Sequence, residues 1–296
     1  MKLAFMTLGC PKWDLDTICR KGKAYGFDGV DFRGLQDTLD VTTLPAFNAG
    51  VAATKRRLAD AGLAVSAISS SINVCVLEKR QANLEEARRT IPVALGLGCV
   101  NVRVFGGGDL TKANREELAK VGCECVEQIL ALDGARKLHW LFETHDNWIK
   151  ASDCRLLLDR IKDPAFGALW DMGHTYRVGG EKPADTYKAV GPRVGYTHVK
   201  DAEKAPGHPE ASKDGWRYVA PGEGTLPLAE SIGLLRKGGF DGWLNFEHEK
   251  RWIPALPEPE EIFPKFVTWA RKVLAEGSGA PAKAAATGSK PKGKGK

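Results

Sequence analysis

Residues 138–199 read LHWLFETHDNWIKASDCRLLLDRIKDPAFGALWDMGHTYRVGGEKPADTYKAVGPRVGYTHV. Three short apolar runs, 138–143, 167–171 and 194–199, alternate with two stretches that suit amphipathic helices, 152–161 and 183–190. A strand that is apolar on both faces needs cover on both, and a helix between two such strands returns the chain so that they pair in parallel. Each run also closes on or beside a residue able to bind a hard cation: Glu143, Asp171 and His198. A fourth run, 243–247, ends in Glu247.

The same alternation continues outward to both ends of the chain. Further strand candidates at 3–8, 28–33, 64–70, 100–105 and 243–247 bring the total to eight. Further helix candidates lie at 14–25, 51–61, 80–96, 112–132, 227–237 and 258–275. Eight repeats predict closure into a single α/β domain, a (β/α)8 TIM barrel over residues 1–275, followed by a low-complexity basic tail over 276–296. Asp14 is placed to cap the first helix, Gly26 and Gly62 fall where helices must stop, and Gly238-Gly239 breaks the helix before the last strand. Leu3 to Leu8 suits a first strand better than a lipoprotein signal, because the apolar stretch is short and one charge precedes it. Residues 200–225, rich in Pro and Gly, form the longest irregular stretch and are expected to overhang the barrel mouth.

A chain of 296 residues with 43% hydrophobic content can bury a large core. No apolar run reaches the roughly 20 residues needed to span a bilayer. Seven cysteines, an odd number in mostly apolar contexts, suggest reduced thiols and a cytoplasmic setting. Cys123 and Cys125 are spaced as neither a zinc knuckle nor a redox pair. The net charge of +6 falls to +1 without the five lysines beyond Gly277, so no specific nucleic-acid partner is expected and the tail reads as a disordered, solubilising extension. Gly106-Gly107-Gly108 lacks the spacing of a phosphate loop and reads as a tight turn.

Glu143, Asp171, His198 and Glu247 end strand candidates five to eight and therefore share one side of the mouth. Three carboxylates and one imidazole make an oxygen-rich set that suits Mn2+ best, with Mg2+, Co2+ or Zn2+ compatible. Arg33, Asn73, Arg103, His145, Lys200 and Arg251 lie at strand ends or in following loops, where they are placed to orient hydroxyls or an anionic group. Trp13, Trp148, Trp216 and Trp252 fall in βα loops, where packing is the expected role.

The series Glu143, Asp171-Met172-Gly173-His174, His198-Val199-Lys200-Asp201 and Glu247 resembles the sugar phosphate isomerase/epimerase family with the xylose isomerase-like barrel. The likeness covers residues 1 to about 275, and Glu249-Lys250-Arg251-Trp252 resembles a subgroup. It implies that Glu143, Asp171, His198 and Glu247 hold one divalent metal ion, that Glu143 and Glu247 serve as acid and base, and that His174 contacts substrate. The implied activity is isomerisation or epimerisation of a ketose, keto-inositol or related polyol through an enediolate. The alternative is a lyase or dehydratase acting on a 3-keto sugar or keto-inositol. The family also includes ketose 3-epimerases and resembles endonuclease IV, whose three-metal cluster needs histidines on earlier strands. Strand candidates two and three here end at Arg33 and near Ser70 to Asn73 without histidine, against an abasic-site nuclease. The full ligand set argues against a non-catalytic sugar-binding protein, and a homo-oligomer is compatible with the resemblance.

Overall fold

All eight sequence-predicted strands form and pair in parallel into a closed barrel. The computed structural model describes residues 1–276. The barrel strands are β1 (Lys2–Met6), β2 (Gly29–Phe32), β3 (Ala64–Asn73), β4 (Asn101–Phe105), β5 (His139–Glu143), β6 (Phe166–Asp171) and β7 (Val194–Val199). After them β8 (Asp201–Lys204) and β9 (Trp216–Val219) form a separate antiparallel hairpin, and β10 (Trp243–Phe246) closes the barrel between β7 and β1. Helices α1 (Leu15–Tyr25), α2 (Val51–Asp60), α3 (Arg80–Leu97), α4 (Arg115–Leu130) and α5 (Ala151–Leu158) cover the first half of the barrel wall. Helices α6 (Met172–Arg177), α7 (Pro183–Val190), α8 (Leu228–Lys237) and α9 (Pro259–Glu276) complete it.

Alternation along each strand sorts the side chains into two sets. Phe32, Val104, Phe142, Trp170 and Phe246 point outward into the main core beneath the helices. Ala67, Leu141, Leu169 and Tyr196 form a second, smaller cluster inside the barrel, with Trp243 against it. Because both faces are buried, the strands read as continuous apolar runs. Local signals behave as their chemistry requires: the Asp14 carboxylate accepts the Thr17 N–H at 2.8 Å, and Gly26 ends α1 in the left-handed region at φ 84°. Gly106 must be glycine because a Cβ there would sit 2.0 Å from the Trp148 ring, whose Nε1 donates to the Gly107 carbonyl at 2.9 Å.

The structure corrects the reading of residues 200–225 as irregular. Trp216-Arg217-Tyr218-Val219 is aromatic and β-branched, and it pairs with Asp201–Lys204. The hairpin is rooted by the buried Asp201 carboxylate, which accepts backbone N–H groups of Ala202 and Gly222 at 2.8 Å, Gly224 at 3.1 Å and Leu226 at 3.3 Å. A Cβ at Gly224 would lie 2.1 Å from Asp201 Oδ1, so the chain turns there only with glycine. Helix α6 was also not apparent from sequence; Asp171 caps it by accepting the His174 N–H at 2.8 Å.

All seven cysteines are free thiols, and Cys123 and Cys125 are buried on α4. Trp13 and Trp148 are buried, whereas Trp252 is exposed. Among the described residues no helix is long and apolar enough to cross a membrane. The tail expected at 276–296 lies, from residue 277, outside the described residues.

Candidate metal centre

Four successive strands of the barrel carry the four sequence-predicted ligands to one point. Asp171 and His198 are register partners on β6 and β7, and His198 is paired with Asn245 on β10, two residues before Glu247. One ligand atom from each of Glu143, Asp171, His198 and Glu247 lies within 4.8 Å of the others, and all four side chains are buried. His198 Nδ1 is 2.9 Å from Glu143 Oε1 and 3.4 Å from Glu247 Oε1, so both glutamates converge on one nitrogen. Lys200 Nζ reaches the same centre, 2.9 Å from Asp171 Oδ2, 2.5 Å from Glu247 Oε2 and 3.0 Å from Glu249 Oε1.

Burial alone would raise the pKa of the carboxylates and lower those of His198 and Lys200. The opposite happens because the charges face each other. Burial pushes Glu143 up, but the His198 and Arg103 charges outweigh it and hold the carboxyl far below its usual range. Glu247 is lowered against burial by His198 and Lys200, and Asp171 by His174 and Lys200. Burial disfavours charged His198, but Glu247 and then Glu143 raise its pKa well above normal; Lys200 is raised against burial by Asp171, Glu247 and Glu249.

This centre fits a divalent cation on its own geometry. Asp171 Oδ2 and Glu247 Oε2 are buried and face Lys200 at ion-pair distance, yet neither accepts an aligned hydrogen bond. Both oxygens thus meet ionisable nitrogens without an aligned hydrogen bond, an arrangement in which a divalent cation would take the place of those contacts. The absence of thiolate from the set favours a hard ion.

Other sequence-predicted site residues divide into two groups. His174 Nδ1 lies 3.0 Å from Asp171 Oδ2, and its ring meets that of His145 with centroids 4.7 Å apart. His145 Nδ1 is 2.7 Å from Asp146 Oδ1; burial lowers its pKa, but Asp146 and Glu143 produce a net rise. Arg103 is turned to a candidate ligand: its Nη1 donates to Glu143 Oε2 at 2.8 Å, and its guanidinium lies 3.6 Å over the Phe105 ring. Arg251 is engaged elsewhere. It donates to the backbone carbonyls of Gln36 and Asp37, the latter at 3.1 Å, and so ties the loop after β2 to the loop after β10.

Three residues to which the sequence reading gave no role in the site belong to the neighbourhood. Glu249 pairs with Lys200 and accepts the Tyr218 hydroxyl at 3.2 Å, which brings the hairpin to the edge of the site. The signal for Glu249 was its position two residues beyond Glu247, and Tyr218 was hidden in the Pro- and Gly-rich stretch. Asp31, a lone carboxylate within Gly29-Val30-Asp31-Phe32, is fully buried inside the barrel.

The chain belongs to the xylose isomerase-like TIM barrel family, whose profile matches residues 19–273. Over 129 residues, 40% of the chain, it is 32% identical to an inosose dehydratase of Bacillus anthracis and matches 41% of that protein's length. The matched stretch thus spans about two fifths of this curated relative. Among solved structures, the probable 3-DHS dehydratase AsbF involved in petrobactin synthesis from Bacillus anthracis superimposes with a TM-score of 0.73 at 18% identity, covering 93% of this chain and 99% of that one. The 3-keto-D-glucoside 4-epimerase YcjR of E. coli does so with a TM-score of 0.69 at 16% identity, covering 92% and 99%. At these identities the two structures share the fold.

Proposed function

We propose that this protein is a divalent-metal-dependent enzyme that removes the proton beside the ketone of a keto-inositol or related keto-polyol and then expels water. The observation that carries this reading is the unequal setting of the two glutamates around a common centre. Arg103 and His198 pin Glu143, whereas Glu247 keeps one oxygen free of aligned hydrogen bonds and against the Lys200 ammonium. One fixed carboxylate, one carboxylate with a freer oxygen and one adjacent ammonium suit an elimination.

Glu143, Asp171, His198 and Glu247 would hold the ion. When bound, it supplies a Lewis acid that polarises the ketone and stabilises the charge of the enolate. Glu247 takes the proton from the carbon next to the ketone, and the C–H electron pair becomes that of the enolate. The enolate electrons then form the C=C bond as the β C–O bond breaks, and Lys200 gives a proton to the departing oxygen so that it leaves as water. Nζ of Lys200 lies 2.5 Å from Glu247 Oε2, so the proton on Glu247 returns to Lys200 and the cycle closes with net loss of one water. His174 and His145 line the neighbouring edge and orient substrate hydroxyls. The likeness to inosose dehydratase over 129 residues supports the same outcome.

Isomerisation or epimerisation is the second reading, favoured by the approach of both glutamate Oε1 atoms to His198 Nδ1. In that case Glu143 returns the proton to the opposite face or the adjacent carbon. Mass spectrometry of the product from Mn2+-loaded protein and a panel of keto-inositols and 3-keto sugars tests the choice. A product lighter by one water supports dehydration, and a product of unchanged mass with altered stereochemistry or carbonyl position supports the second reading.

A further inference from the structure

Asp31 is a buried carboxylate that faces the imidazole of a candidate metal ligand, His198. It is fully buried, and among the described residues no Lys or Arg forms an ion pair with it. Val30 and Phe32 pack outward into the main core, which turns Asp31 into the barrel. There its Oδ2 accepts the Ser69 hydroxyl at 3.0 Å from β3 and the Asn245 amide at 3.4 Å from β10. The same oxygen lies 3.8 Å from His198 Nε2, while the opposite nitrogen, Nδ1, faces Glu143 and Glu247. His198 Nε2 and Asp31 Oδ1 are both buried without a hydrogen-bond partner.

We infer that Asp31 is a positioning residue that accepts the Nε2–H of His198 and thereby presents the Nδ1 lone pair to the metal. This inference rests on the metal-dependent reading above. A metal-bound imidazole donates its other N–H to a carboxylate or carbonyl in most sites, and that partner fixes the tautomer and ring orientation. Ser69 and Asn245 aim the Asp31 carboxylate at the nitrogen left over on His198. Asp31 is not a fifth ligand, because it meets the imidazole at Nε2 and the ring stands between it and the cluster at Nδ1. Nor does polar filling explain it: a neutral side chain would accept from Ser69 without burying a charge.

Two measurements test this. In a long-range 1H–15N correlation spectrum of wild-type protein loaded with Zn2+, His198 is expected as the Nε2–H tautomer. In a Mn2+ titration followed by electron paramagnetic resonance, Asp31→Asn is expected to bind about 10- to 100-fold more weakly than wild type, with an unchanged metal-free circular dichroism spectrum. Ser69→Ala, which removes one of the groups that aim the carboxylate, is expected to weaken binding by a smaller factor. Asp31→Asn binding Mn2+ within about twofold of wild type, or an Nδ1–H tautomer in the loaded wild type, overturns the inference while leaving the metal reading intact. A lowered metal-free melting temperature with unchanged Mn2+ affinity marks Asp31 as structural only and overturns it too. If Asp31→Asn does not fold, the tautomer in the wild type decides alone. Wild-type protein that binds no divalent ion overturns both readings.

Discussion

On β5, β6 and β7, Leu141, Leu169 and Tyr196 point into the barrel two residues before Glu143, Asp171 and His198. The two levels share strands, direction and burial, yet the lower is a packed apolar plug and the upper is a group of charges with unspent lone pairs. The plug fixes the strands at the spacing that the upper level needs. The upper level contributes chemistry and leaves buried polar atoms unsatisfied, a cost typical of functional sites. Substitutions at the two levels should therefore separate activity from stability.

The largest expected effect is at the upper level. Glu247→Gln removes the proposed base and a proposed ligand, so kcat should fall by about 10^3-fold and Mn2+ affinity should drop; steady-state kinetics and a Mn2+ titration check the two halves. At the lower level the pattern should reverse. Leu169→Ala should cost about 2–5 kcal/mol of stability in urea denaturation and leave Mn2+ affinity unchanged. A loss of Mn2+ affinity in Leu169→Ala would mean that the two levels are not separable.

A smaller effect is expected at the edge of the site. Tyr218→Phe removes the hydroxyl that donates to Glu249 at 3.2 Å, worth about 1 kcal/mol, so stability in urea denaturation should fall by about that amount. Smallest is a change remote from both levels. Asp14→Ala should cost about 1 kcal/mol at neutral pH through the lost cap of α1. The Thr17 backbone N–H, followed by its hydroxyl, lowers the Asp14 pKa from its ordinary value of 3.8. A depressed folded pKa gives stability that is present above the ordinary value and lost as pH falls through the folded one. The difference between Asp14→Ala and wild type should therefore shrink in acid, which thermal melts across pH 2–7 would show.

The same two levels explain what could be read from sequence. Strands buried on both faces leave uninterrupted apolar runs, so Glu143, Asp171 and Glu247 stood out as charged residues closing them. Four such endings on consecutive strands had to be neighbours once the barrel was recognised. Asp31 was obscured because a single carboxylate within a four-residue strand gives no pattern. Lys200 was visible beside His198, but its contacts with three carboxylates depend on distances between β6, β7 and the loop after β10. The β8–β9 hairpin was missed because its strands are four residues each and Pro and Gly dominate the segment around them. Arg103 and Arg251 looked equivalent as cations at loop and strand ends. Only their partners distinguish one that fixes the candidate ligand Glu143 from one that ties two loops together.

Hydrogen exchange at the carbon beside the ketone tests the central claim most directly. Keto-inositols and 3-keto sugars incubated in deuterated water with the protein should gain deuterium at that carbon, or lose that hydrogen in the dehydrated product, only when Mn2+ is present. The reaction should slow by about 10^3-fold in Glu247→Gln. Turnover at an equal rate after complete metal removal, or undiminished in Glu247→Gln, would contradict a metal-dependent proton abstraction at this centre.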